Sequence, residues 1–343
     1  MKKGILLLTG LFWVFLLRAQ NDFTLCEMNV ENLFDCQHQQ GHDDETFLPE
    51  SGRRWTPVRY RKKLELLSKV LISMSRKGPP DVIALEEVEN DSVMSDLTRR
   101  AILRRAGYRY TMTVRGDERG MNVALIYQPE KFKLLSSESI SPTDTSGTPL
   151  KTRQLLHVTG RLTTGEILHV FVCHFSSRIG GSEALRYRQL EGTTLRKAVQ
   201  QIMHDAADAK VIVVGDFNEG PTSDVLRESI GFQDETTVNK PLPTVLYNLS
   251  GEKTAADGSV RGTYKYDSHW EMIDQCLVNG NLLQPTKGLH LSPDAVEIWA
   301  PSFILETDPQ DLGLRPRRTY EAYRYHGGAS DHLPLRITLK YAL

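Results

Sequence analysis

Charge of one sign is what this 343-residue chain lacks first: 42 Lys and Arg stand against 43 Asp and Glu, a formal net charge of −1. Such a balance excludes a protein coated along its length with basic residues for nucleic acid. Any phosphate-bearing partner has to be met by a local site. Cysteine is scarce too, with four in all (Cys26, Cys36, Cys173 and Cys276) and no CxxC spacing. That excludes zinc-finger and thioredoxin-like motifs and a disulfide-dense small scaffold. Cys26, Cys173 and Cys276 sit in apolar runs, where a thiol packs as a small hydrophobe; spacing alone assigns no disulfide. The sequence contains no HExxH, no GxSxG and no GxxxxGK followed by Ser or Thr, which sets aside zincin, α/β-hydrolase and P-loop chemistry. No internal repeat or low-complexity tract interrupts the chain, and no Pro/Gly/Ser linker divides it.

What is present is the composition of an ordinary folded protein, 40% hydrophobic and 25% charged. Residues 1–19 read as a secretory signal: Lys2 and Lys3 form a basic head, an apolar stretch follows over residues 5–17, and Ala19 is a small residue suited to cleavage. The apolar stretch is shorter than the about 20 residues a membrane span needs. Export places the protein in the periplasm or outside the cell. Removal of Lys2, Lys3 and Arg18 leaves 39 basic against 43 acidic residues, a mildly acidic net of −4.

Short apolar runs of β type alternate with longer helical patterns after the signal. Strands are expected over residues 23–30, 81–85, 108–114, 121–127, 154–162, 167–175, 210–215, 273–278 and 333–340, and helices over 60–75 and 182–205. Residues 233–270 and 280–329 read as long polar insertions of the kind that form functional rims. The alternation implies an α/β or α+β sandwich.

Four of the apolar runs end in polar residues. The first runs into Asn29-Val30-Glu31-Asn32, the second into Glu86-Glu87-Val88-Glu89, the third into His174 and the fourth into Asp216-Phe217-Asn218. Ligands of open α/β sheets bind beyond the carboxyl ends of the strands, so these groups can converge on one crevice. Strand alternation puts Asp216 and Asn218 on one face with Phe217 on the other, and it pairs Asn29 with Glu31 and Glu87 with Glu89. Further along, Asp274 precedes a strand, and Ser330-Asp331-His332 follows Gly327-Gly328. Acids and amides are hard oxygen donors that suit Mg²⁺, with Mn²⁺ and Ca²⁺ as alternatives. Hydrolysis at phosphorus is the natural chemistry of such a set: a metal polarises the phosphoryl oxygen, one group takes a proton from water and another protonates the leaving oxygen.

In order along the chain, Asn29-Val30-Glu31-Asn32, Leu85-Glu86-Glu87-Val88-Glu89, the segment 119–124, His174, Gly215-Asp216-Phe217-Asn218, Ile273-Asp274-Gln275 and Ser330-Asp331-His332 resemble the endonuclease/exonuclease/phosphatase superfamily, the deoxyribonuclease-I-like fold. The resemblance covers residues 23–340. It implies a four-layer sandwich, two mixed β-sheets face to face with helices outside, in one domain over residues 22–343. It also implies roles. Glu87 resembles the main metal-binding carboxylate, with Asn29 beside it and Asp331 as a further metal-binding acid. Asp216 resembles the acid that activates water, Asn218 the amide that steadies phosphate oxygens, and His332 the catalytic histidine held by Asp274. His174 resembles the second histidine, which contacts the phosphate or the leaving group. Glu86 is expected to point away from the metal.

Asn122 stands where many relatives carry an acid, so His174 has no evident carboxylate partner in the sequence. Arg119, Arg153 and Arg178 are candidates to clamp phosphate, and the arginine-rich stretches 53–63, 99–105 and 315–318 are candidates to follow a polynucleotide backbone. A metal-dependent phosphodiesterase, foremost an endonuclease on DNA or RNA, is the leading reading. The alternatives are a phosphomonoesterase, an inositol-phosphate phosphatase or a sphingomyelinase-like phospholipase on the same site, and last a catalytically silent binding protein. No obligate protein partner is implied.

Overall fold

The computed structural model describes residues 22–341 apart from 235–239, 252, 256–257, 286–287 and 312, so the signal reading of residues 1–19 lies outside the described residues. Eight strands make up the first part of the chain: β1 (Phe23–Leu33), β2 (Val82–Val88), β3 (Arg109–Met112), β4 (Asn122–Tyr127), β5 (Phe132–Ile140), β6 (Leu155–Leu162), β7 (Ile167–His174) and β8 (Lys210–Asp216). One sheet runs Leu289–His290, Leu335–Tyr341, β1, β2, β4, β3, with Val296–Ile298 also paired to Leu335–Tyr341; the other runs β5, β6, β7, β8, Asp274–Asn279, Leu246–Asn248, Phe232–Asp234. Both are mixed, because β1–β2 and β7–β8 are parallel pairs among antiparallel neighbours. These two parallel pairs sit at the centres of their sheets and touch across the interface. Their carboxyl ends therefore open at the same edge of the sandwich.

Alternation explains the layers. On β8, Ile212 and Val214 pack with the inter-sheet core, whereas Val211 and Val213 pack with Leu195, Val199 and Met203 of the long helix Gly181–Asp205. On β1 the even-numbered face looks the other way: the Cys26 thiol reaches the Met74 carbonyl just past the helix Pro57–Ser73. That helix starts where Thr56 caps it and Pro57 fits its first turn. Helix, sheet, sheet and helix make the four layers the sequence implied. All four cysteines are free thiols.

The long insertions are less irregular than they read. Leu246–Asn248 extends the second sheet, and Tyr264–Tyr266 pairs with His269–Glu271, as does Leu305–Thr307 with Leu314–Pro316. Strands of three residues are too short to carry a period, which is why alternation could not find them. β5 escaped for another reason: it is an edge strand whose Ser-rich outer half is exposed.

Candidate active site

The polar strand ends meet where the backbone leaves regular β geometry. Glu31, Asn32, Glu87 and Asn218 all have φ between +47° and +64°, a left-handed conformation that costs on the order of 1–3 kcal/mol per residue. The β1–β2 register slips between Asn29 and Leu33, and the β2–β4 register between Glu86 and Val88. Both irregularities fall at residues read from the sequence as site candidates. Before Asp216, Gly215 has φ +140°, and a Cβ there would stand 1.9 Å from the Cys173 carbonyl oxygen. Only glycine lets β8 come this close to β7.

The bulge at Glu87 decides which acid enters the site. In plain alternation Glu86 faces the other sheet with Ala84, and Glu87 faces the helix. The positive φ turns Glu87 back, so that its Oε1 lies 3.7 Å from His174 Nε2 while its Oε2 accepts the Asn32 N–H at 2.7 Å. Glu86 stays outside this group, fully buried, and neither its carboxyl nor that of Glu27 has another hydrogen-bond partner among the described residues. Burial above all holds both acids well above the ordinary carboxylate range. Glu31 and Glu89 also leave the site. Glu31 accepts the N–H groups of Thr319 and Tyr320, and Glu89 those of Asp35 and the Gln39 side chain.

Asp216 is the hub. Its Oδ2 accepts the Asn29 amide at 3.1 Å and lies 3.6 Å from His174 Nε2 and 3.8 Å from His332 Nε2; its Oδ1 accepts the Asn218 N–H at 2.8 Å. Behind His332, Nδ1 meets the wholly buried Asp274 at 2.8 Å. Acid, histidine and acid thus form one line, Asp274 to His332 to Asp216. Ser330 fixes the bend, its hydroxyl donating to the Asn29 carbonyl at 2.7 Å and accepting the His332 N–H at 3.0 Å. Asn218 donates its side-chain amide to the Phe175 carbonyl at 3.0 Å.

The two histidines are set to opposite charge. For His332 burial opposes the cation, but the charge and hydrogen bond of Asp274, with Asp216 and Asp331, outweigh it and hold the imidazole well above 6.5. For His174 burial is joined by the charges of Arg153, Arg119 and His332, which hold it well below 6.5. His174 is neutral, and its Nδ1 has no partner among the described residues. Burial lifts Asp216, the His332 charge opposes that and the Asp274 charge supports it, leaving the carboxyl at about 7.

Oxygen donors of Glu87, Asp216 and Asp274 with His332 nearby fit a hard divalent cation. Asp216, Asp274 and His332 have ligand atoms within 4.8 Å of one another and could hold a metal ion. Both Asp274 oxygens face His332 Nδ1. Asp216 and Glu87 are therefore the carboxylates free to turn toward an ion. Asp331 sits at the rim, 3.6 Å from an Arg318 guanidinium nitrogen.

The four substrate-binding candidates separate. Arg119 is divided between Asp117 at 2.9 Å and the Asn32 side chain at 3.4 Å, beside a cleft of about 610 Å³ that also includes Ser176 and Tyr187. Arg178 pairs with Glu271 on the surface. Arg153 and Asn122 are turned inward. Arg153 is buried and donates to the His174 carbonyl, the Phe175 carbonyl and Asp117 at 2.8–3.0 Å, while Asn122 donates to the Glu89 and Gly120 carbonyls. Lys63 and Tyr264 were not foreseen. Lys63 is a buried lysine that reaches the Glu31 carbonyl and Thr319, and Tyr264 packs its ring 4.9 Å from that of His332. Lys63 had a signal in the sequence, since it lies three residues after Tyr60 and four before Leu67 on the apolar face of its helix.

Nocturnin of Xenopus laevis is 27% identical over 199 residues, which are 55% of this chain and 46% of that protein. The chain thus spans about half the length of the curated relatives it matches. Among solved structures, Danio rerio TDP2 complexed with single strand DNA product has a TM-score of 0.53 at 17% identity, over 93% of this chain and 98% of that one. The mannosyl-6-phosphatase Bt3783 of Bacteroides thetaiotaomicron has a TM-score of 0.56 at 16% identity, over 92% and 99%. Likeness at that identity shows the fold. A family model spans residues 24–341, from β1 to the last strand, and takes in every strand end that builds the site: the chain belongs to the Endonuclease/Exonuclease/phosphatase family.

Proposed function

We propose that the protein is an exported phosphodiesterase, dependent on a divalent metal, Mg²⁺ first, that cleaves DNA or RNA. The observation that supports it best is the line Asp274–His332–Asp216, opened toward Glu87 and a neutral His174. Glu87 and Asp216, with Asn29 and Asp331, are the residues that would hold the metal, which when bound supplies Lewis-acid polarisation of a phosphoryl oxygen. Asp216, oriented by the Asn29 amide and the Asn218 N–H, is placed to take a proton from the attacking water. His332, held cationic by Asp274, neutralises charge that develops on the phosphoryl oxygens, where buried charge is worth more than in water. Neutral His174 offers Nε2 as a donor toward the leaving oxygen. Asn218, anchored to Phe175, keeps one amide hydrogen for a phosphate oxygen.

Export is part of the proposal, supported by the basic head, the apolar stretch and Ala19. A phosphomonoester is the second substrate reading, favoured by the near-neutral overall charge and in keeping with the mannosyl-6-phosphatase that shares the fold. A panel of single-stranded DNA, RNA, sphingomyelin and sugar phosphates, assayed with and without Mg²⁺, decides between them. Cleavage of the polynucleotides is expected; turnover of the monoesters alone contradicts the proposal.

A further inference from the structure

Two of the three arginine-rich stretches in the sequence come together in space. Arg53 and Arg59 lie over the rings of Tyr320 and Tyr325, with centroid distances of 5.4 and 4.4 Å. Arg59 donates to the Tyr320 hydroxyl at 3.3 Å, and that hydroxyl donates to the Arg53 carbonyl at 3.0 Å. The third stretch takes no part: Arg100 pairs with Asp96, and Arg99 lies over Tyr110.

The joined surface departs sharply from the balanced charge of the chain. Residues 53–63 hold six basic side chains and no acid; residues 315–326 hold four basic side chains and one acid, Glu321. That acid is occupied by Arg315 at 3.0 Å. Arg54, Arg317 and Arg324 are exposed and have no acidic partner among the described residues. Beside them Tyr323 is 66% exposed, and a Cβ at residue 52 would stand 2.9 Å from its ring, so one edge is seated on Gly52 while most of the ring meets solvent. The surface reaches the rim of the active site, where Arg318 lies 3.6 Å from Asp331.

We propose that this surface binds the single-stranded polynucleotide flank of the substrate on the Asp331 side of the reacting phosphate. Unpaired bases stack on Tyr323, and backbone phosphates meet Arg54, Arg317 and Arg324. The assignment rests on the phosphodiesterase reading and adds to it that the polynucleotide is bound single-stranded. An exposed ring, Tyr323, beside guanidinium groups without acidic partners has the physical character of a single-strand platform, in which stacking and counterion release supply affinity without reading sequence. Bases in a duplex have no free face for Tyr323, and a sugar phosphate carries no base to stack on it.

The test compares the full chain with Tyr323→Ala and with the pair Arg54→Glu, Arg324→Glu on two substrates, a fluorescent 12-nucleotide single strand and bis(p-nitrophenyl) phosphate. Loss of one stacked base raises the KM of the oligonucleotide about tenfold, and the charge pair flattens its salt dependence. Activity on the small diester stays within about twofold. Unchanged oligonucleotide KM in both variants overturns the assignment, as does an equal loss on both substrates in a variant of normal thermal stability. A wild type that cleaves the small diester without saturable oligonucleotide binding overturns the surface alone; one inert toward both with every divalent metal overturns the phosphodiesterase reading as well.

Discussion

Replacing Asp274 by Asn isolates the role of charge behind His332. The carboxylate is fully buried, 2.8 Å from Nδ1, and asparagine keeps its shape and one acceptor oxygen while removing its charge. A hydrogen bond to a charged group contributes about 1.5–3 kcal/mol, and about 1.4 kcal/mol is a factor of ten in rate. We therefore expect kcat for bis(p-nitrophenyl) phosphate to fall about 10- to 150-fold. The size of the fall should depend on pH. His332 is held above 6.5 against burial chiefly by Asp274, so without that charge its proton is lost at lower pH and the alkaline limb of the rate profile moves toward acid. Initial rates from pH 5.5 to 9.5 give the limb, and a thermal melt confirms that the variant is folded. A folded variant with kcat within about threefold of wild type and an unmoved alkaline limb refutes the charge argument.

Metal binding should expel a proton. Asp216 titrates at about 7 without metal, and a cation must displace whatever proton it carries. Calorimetry of Mg²⁺ binding at pH 7 in two buffers of different ionisation enthalpy should show release of about half a proton; a buffer-independent heat contradicts this. The Glu27–Glu86 pair should make the metal-free protein less stable as pH rises. Both folded-state values are raised above 4.5, so the stability they contribute is complete below that pH and is lost as pH climbs toward the folded values, by about 1.4 kcal/mol per pH unit and group. Melting temperatures of Glu27→Gln, Glu86→Gln between pH 5 and 8 should fall less than those of wild type, and parallel curves would remove the pair from the account. Arg153→Met should cost about 1–3 kcal/mol of stability, since it removes the buried donor from the His174 and Phe175 carbonyls and leaves Asp117 to Arg119 alone. A rise in KM at unchanged melting temperature would return Arg153 to the substrate.

Much of the site was legible because strand ends and motif order are local features. Phe217 packs with the outer core while Asp216 faces the other sheet, as alternation required. The same rule failed at Glu87, where an αL residue resets the phase of β2, and at Glu31 and Glu89, whose carboxylates cap backbone elsewhere. A β-bulge in Leu-Glu-Glu-Val-Glu has no glycine to announce it. Arg153 and Asn122 misled for a related reason: a polar residue near a motif gives no sign of whether its hydrogen bonds point to a ligand or to carbonyls beneath it. The joining of residues 53–63 with 315–326 depends on tertiary contacts through Lys63, Thr319 and Tyr320, and no local pattern encodes those.

The central claim is that the four strand ends build one metal-dependent phosphoester-cleaving site with Asp216 at its hub. It is tested most directly by the initial rate of single-stranded DNA cleavage by wild type and Asp216→Asn, each with Mg²⁺ and with excess EDTA. Cleavage in wild type with Mg²⁺, abolished by EDTA and reduced at least about 100-fold in Asp216→Asn, is the predicted result. Cleavage that survives EDTA, or a folded Asp216→Asn as active as wild type, would contradict it.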